Sequence, residues 1–143
     1  MTSQPHYADL TKVKVGDQLP EHVQGPISRG TLALFAGASN DHMLLHIDSD
    51  YARSAGMDDV FAHGMLSMAY LAQALTHWAP AEKLREWGVR FSAITPLHAV
   101  VHCSGEVVEV YDAGGERLAK LRVGARTADG VVTLDGDAVV ALN

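Results

Sequence analysis

The sequence predicts an α+β protein in which an antiparallel sheet wraps around one long buried helix. Three observations lead there. From about His63 to His77 the chain carries Met65, Leu66, Met68, Ala69, Leu71, Ala72 and Leu75 without a single Asp, Glu, Lys or Arg, and a helix that is apolar all round belongs in an interior. After Pro80 the pattern changes to β-branched and alternating runs, His98 to Val110, Leu118 to Ala125 and Val131 to Leu142, which suit a half-buried pleated surface. Two turn signals, Asp112-Ala113-Gly114-Gly115 and Asp129-Gly130, separate those runs as hairpins would.

The elements follow in order. Residues 1–10 read as a loose tail, and residues 1–143 as one domain without repeats, linkers or low-complexity segments. Val13 and Val15, closed by Gly16-Asp17, indicate a short first strand, and Val23 a second. Ser28 is a helix N-cap ahead of the apolar Thr31-Leu32-Ala33-Leu34-Phe35-Ala36, and Gly37 weakens that helix's last turn. Asn40 to Asp48 reads as an irregular loop, and Ser49 caps one short helix ending near Ala55. The long central helix stops before Pro80, and Trp87 to Phe91 is a short extended piece. Imperfect alternation between Leu118 and Val123 calls for one bulge.

Composition narrows the function classes. A chain of 143 residues buries roughly 70% of the surface its extended form exposes. At 48% hydrophobic and 20% charged residues it has the balance of a soluble globular protein. No run reaches the length of a membrane span, and Met1 to Leu10 lacks the pattern of a secretion signal. One cysteine, Cys103, excludes an internal disulfide and fits a cytoplasmic location. A net charge of −6 argues against nucleic acid as the main partner. Arg85, Arg90, Arg117, Lys120, Arg122 and Arg126 offer cations for nucleotide phosphates, although each is more readily a solvated surface charge. No Gly-rich phosphate loop is present.

The chemistry concentrates in two segments. Asp41 and His46 place a carboxylate and an imidazole in one loop after an apolar helix, and Ala62-His63-Gly64-Met65-Leu66 opens the central helix. A carboxylate and an imidazole can share a water molecule, and the imidazole titrates near neutral pH. Gly64 at a helix start offers a backbone N–H and the positive end of the helix dipole to an oxygen that gains charge. Together these groups suit the addition of water to a polarised double bond, or its removal. Read separately, each is commonplace. Their order and spacing, with the fold pattern, favour the functional reading.

The arrangement resembles the MaoC-like dehydratases and (R)-specific enoyl-CoA hydratases, whose signature runs Asp-x-Asn-Pro-x-His and then Ala-His-Gly-Met. Asp41, His46 and Ala62 to Leu66 fall where that signature puts them, and Gly16-Asp17 resembles a common opening of the family. Met43 and Leu44 stand where the signature has Asn and Pro. The resemblance covers nearly the whole chain. It implies the hotdog fold and reversible hydration of a trans-2-enoyl thioester, such as enoyl-CoA, to the (R)-3-hydroxyacyl form. Asp41 and His46 would act on one water, Gly64 would be the oxyanion donor, and His63, Met65 and Met43 would contact substrate. It implies no metal and no redox cofactor, coenzyme A being part of the substrate. A homodimer is expected, or a heterodimer with a related subunit.

Other readings of the same residues compete with this one. A hotdog thioesterase would use a carboxylate to direct water at the thioester carbonyl and would not need His46. A non-catalytic acyl-binding or partner subunit is favoured by Met43 and Leu44 and opposed by the retention of both Asp41 and His46. Asp41, His42 and His46 imitate part of a metal site but lack a clear further ligand. His98 and His102 are read as surface residues of one strand, and Cys103 as a small buried side chain. Ser39 and Ser67 lack a nucleophile-elbow pattern, and Met68, Tyr70, Trp78 and Trp87 read as packing or interface residues.

Overall fold

In a computed structural model that describes residues 6–143, a five-stranded antiparallel sheet curls around one long helix. The strands are β1 (His22–Gln24), β2 (Leu84–Phe91), β3 (Val101–Ala113), β4 (Glu116–Thr127) and β5 (Val132–Ala141), in the spatial order β1-β3-β4-β5-β2. The helices are α1 (Arg29–Ser39), α2 (Ser49–Ser54) and α3 (Gly64–Trp78), with single 3-10 turns at Leu10–Lys12, Leu44–His46 and Ala81–Lys83. This is the hotdog arrangement that the sequence leads one to expect. Among the described residues, no helix is long and apolar enough to cross a membrane.

Alternation in β4 explains how the sheet holds the helix. Ala119, Leu121, Val123 and Ala125 are buried on the inner face, where they join Val107, Leu134 and Ala138 around Leu71 and Leu75 of α3. Each fully buried leucine contributes about 2 kcal/mol relative to exposure. Leu118, one position out of step, follows the same rhythm onto the opposite face, where it packs with Val139, Ala141 and Tyr111. Tight hairpins join the long strands: Gly114 and Gly115 take φ of 59° and 81°, a left-handed pair that suits a two-residue turn.

Several expectations need correction. Val13 and Val15 form no strand. Asp17 accepts the Lys14 N–H at 2.9 Å, and the chain turns at Gly16 (φ 93°), because local side-chain bonds compete with a ladder. Of the expected tail, residues 1–5 lie outside the described residues. Residues 8–10 are not loose, since the Ala8 N–H donates to the Trp78 carbonyl at 2.9 Å and Leu10 packs against the core. The cap of α2 is Asp48, accepting from the Asp50 and Tyr51 N–H groups, and not Ser49. The bulge expected in β4 falls on its neighbours: the extra residues are Val108 in β3 and Thr133 in β5, with Arg85 in β2. His98 sits in a turn at φ 66°, outside any strand.

Candidate active site

The site is assembled where α1 ends and α3 begins. Ser28 caps α1 as expected, its Oγ accepting the Thr31 N–H at 3.0 Å. The helix stops at Asn40, whose left-handed φ of 58° turns the chain. Ser39 Oγ accepts the Asp41 N–H at 3.3 Å, and Asp41 Oδ1 in turn accepts the Met43 N–H at 3.2 Å. The carboxylate is thus oriented by a backbone group that any residue but proline supplies, so Met43 can stand at this position. The Leu44–His46 turn then presents His46.

Hydrogen bonding fixes the state of the His46 ring. Its Nδ1 lies 2.7 Å from the Phe61 carbonyl. A carbonyl only accepts, so Nδ1 carries the proton, and Nε2 is the nitrogen left to exchange one. The Phe61 ring meets the imidazole edge-on at 4.9 Å between centroids. Phe61 is held because the Asp59 carboxylate, two residues earlier, is gripped by Arg29 of α1 at 2.6 and 3.0 Å and by Ser49 of α2 at 2.9 Å. Those bonds, the Arg29 guanidinium foremost, hold the Asp59 carboxyl below the usual carboxylate range.

His63 precedes the first residue of α3 but makes no capping bond. It is 1% exposed. Its Nε2–H donates to the Asp41 carbonyl at 3.1 Å, and its ring stacks on His46 at 4.0 Å and 27°. Nδ1 is buried without a hydrogen-bond partner. Burial lowers the affinity of this ring for a second proton, and the neighbouring His46 acts in the same direction. Expected as a substrate contact, His63 has its polar contact with the protein itself.

Polar atoms of Asp41, His46 and His63 all lie within 4.8 Å of one another. Among the described residues no direct hydrogen bond joins the Asp41 carboxylate to the His46 ring. Gly64 follows at once as the first residue of α3, and no described residue accepts its N–H. Such an orphan donor at a helix start faces developing negative charge favourably. The phenyl ring of Phe91 crowds Gly64: a Cβ there would lie 2.8 Å from the ring.

Two cavities flank these groups. One, of about 390 Å³, is bounded by Asp41, Phe35, Met65, Met68, Ala72 and Trp87. The other, of about 340 Å³, runs from Gly64 and Phe61 past Phe91 to Ile94 and Thr95. Met65 therefore borders the first cavity, whereas Met43, half exposed, borders neither. Sequence reading missed Phe35, Phe91 and Ile94, whose approach to the motif needs the tertiary fold. Ser67 is buried against Thr95, their hydroxyls 3.2 Å apart, and Cys103 is buried, its thiol pushed up to about 12. Of the phosphate-binding candidates, Arg85 pairs with Glu116, Arg126 with Glu21, and Arg117 with the Val13 carbonyl.

The α+β hotdog fold, with a helix start that meets Asp41 and His46 through His63, defines the structural class, and comparison with known proteins makes the assignment specific. The chain belongs to the MaoC-like dehydratase family: the family model described as MaoC like domain matches residues 11–128. The 3-hydroxyacyl-thioester dehydratase Z of Mycobacterium tuberculosis (strain ATCC 25618 / H37Rv) is 29% identical over 113 residues, covering 75% of this chain and 74% of that protein. The R-hydratase of Pseudomonas aeruginosa, in its unliganded form, superposes with a TM-score of 0.80 at 26% identity, over 92% of this chain and 84% of that one. A chain of the ChsH1-ChsH2 complex from Mycobacterium tuberculosis superposes with a TM-score of 0.78 at 23% identity, over 92% and 99% of the two chains.

Proposed function

We propose that the protein interconverts a trans-2-enoyl thioester and its (R)-3-hydroxyacyl form, with acyl-CoA as the carrier. The observation that carries this reading is the meeting of Asp41 and His46 polar atoms with those of His63, the residue before Gly64 and its unpaired N–H, with Asp41 lining one cavity and Gly64 the other. In the hydration direction, His46 Nε2 takes a proton from a water held against the Asp41 carboxylate. The hydroxyl bonds to C3, the double-bond electrons move toward the thioester, and the oxygen gains charge in front of the Gly64 N–H. Collapse of that enolate takes the proton back from His46 to C2, so one water is consumed in full. The acyl group occupies the cavity bounded by Phe35, Met65, Met68 and Trp87, whose walls are largely apolar.

No metal enters this scheme. The acid–base pair can move the protons alone. We further assign the protein to a reducing compartment such as the cytoplasm, consistent with its unpaired, buried Cys103.

The test is purified protein with a short and a medium trans-2-enoyl-CoA, following loss of the conjugated thioester absorbance beside free-thiol release. Absorbance should fall without thiol. Asp41→Asn and His46→Gln should each lower the rate by about 10²–10⁴-fold, the span of a lost acid–base group, with thermal unfolding little changed. Full turnover in either variant removes the pair from the mechanism, and thiol release turns the assignment to a thioesterase. Chelator should leave the rate as it was; loss restored by zinc would establish a metal enzyme.

A further inference from the structure

The Asp41/His46 site depends on a third side chain that touches both members of the pair. His63 reaches the backbone of Asp41 through its Nε2–H (3.1 Å) and covers one face of the His46 imidazole (4.0 Å between centroids). Its other neighbour is Phe35 of α1, edge-on at 5.0 Å. The ring is 1% exposed and therefore has no open face for substrate. It also leaves the N-cap role unfilled, since no side-chain bond goes from it to the first turn of α3. A histidine that neither caps its helix nor meets solvent, yet joins two loop residues distant in sequence, is doing something other than filling space.

We propose that His63 is a positioning residue: it sets the place of Asp41 and the plane of the His46 ring relative to the Gly64 N–H. This rests on the hydration reading above. The geometry explains the need. Asp41 and His46 sit in an irregular loop whose only regular piece is the Leu44–His46 turn, while Gly64 is anchored in the central helix. His63 belongs to the helix side by sequence and to the loop side by contact, so it transmits the helix position to the loop. The unpartnered Nδ1 fits this role, because a neutral ring can stack on an imidazole that must itself accept a proton, whereas a second cation there would oppose it. Misplacement of reacting groups by on the order of 1 Å can cost about 100-fold in rate.

The experiment combines kinetics with a spectroscopic readout. His63→Ala should reduce kcat about 100-fold with KM within about twofold, as for a group that acts only on transition-state geometry. His63→Phe keeps a stacking ring without the donor and His63→Gln keeps a donor without the ring, so both should recover part of the rate. These two also serve if the alanine variant folds poorly. In a His46→Gln background the same substitutions should cost little more, since the pair they position is already gone. In ¹⁵N spectra of the imidazoles, His46 should give one sharp set of resonances in the parent and exchange-broadened or multiple resonances in His63→Ala, as the ring loses its fixed plane while Nδ1–H stays set by the Phe61 carbonyl. A raised KM with kcat unchanged, full additivity with His46→Gln, or an unaltered His46 spectrum overturns the proposal. Should the hydration reading itself be wrong, His46→Gln would keep its activity; the spectrum still decides whether His63 orders the His46 ring.

Discussion

Gly64 bears two demands at once, and they can be separated. Its N–H is the oxyanion donor of the proposed mechanism, and its missing Cβ leaves room for the Phe91 ring. Phe91 is 51% exposed, so its ring can swing aside at small cost. Gly64 is also the first residue of α3, where proline is tolerated because that N–H has no helical partner. His63 before it, at φ −54° and ψ 130°, already has the backbone that a following proline requires. In a Phe91→Ala background, Gly64→Ala should therefore keep the parental rate. Gly64→Pro should lose about 10²–10³-fold, the usual cost of one oxyanion donor. Equal rates for the two, with equal thermal unfolding, would remove Gly64 from the chemistry. At this scale residue type and order are legible in the sequence, and contacts are not. Asp41, His46 and Gly64 stand out by residue type and order. That Met43 contributes its backbone N–H could not be read from a side chain.

Among the elements, α1 and α2 are tied to the segment that carries Phe61 by the Asp59 carboxylate, and this tie sets a pH dependence. The folded state holds the Asp59 carboxyl below its ordinary value of 3.8, chiefly through Arg29 and then through the Val60 N–H and Ser49. A depressed carboxyl contributes stability that is fully present above its unfolded value and is lost as pH falls below it. Asp59→Asn should therefore be less stable than the parent at pH 7, and the difference should shrink toward pH 3. Urea unfolding followed by circular dichroism at the two values measures it. A gap that stays constant, or widens in acid, would show that the clamp does not depend on the ionised carboxylate. The same elements mark where local reading stops. The Ser28 cap, the run of α3 and the two Gly turns carry their signals within a few residues, so they are legible. The Arg29–Asp59 tie spans most of the distance from α1 to α3, and nothing in either neighbourhood announces it. Val13 and Val15 look like a strand by composition, but that segment meets the sheet through single contacts such as the Gly16 N–H to the Val107 carbonyl at 2.8 Å.

For the whole molecule, the telling fact is what the sheet fails to cover. The apolar helix α3 was expected to be enclosed on every side, yet Met65 is 54% exposed and Ala69 is open as well, with Met68 and Ala72 partly so. Leu34 of α1, next in sequence to the cavity residue Phe35, is 78% exposed. The two sheet edges, β1 and β2, each lack a second neighbour, and an unpaired edge tends to be covered or paired. A strip of this kind beside the catalytic groups is best accounted for by a second copy of the chain, which would complete the wall of the acyl cavity. The expected result is a particle of twice the chain mass in sedimentation at micromolar concentration. Leu34→Glu places a charge on exposed apolar surface outside the lining of either cavity. It should shift the protein toward monomer and lower hydration in proportion to the dimer lost. A parent protein that sediments as a monomer with full activity would assign the whole strip to substrate, whereas a monomer that is silent with enoyl-CoA until a related subunit is added would place this chain in a heterodimer.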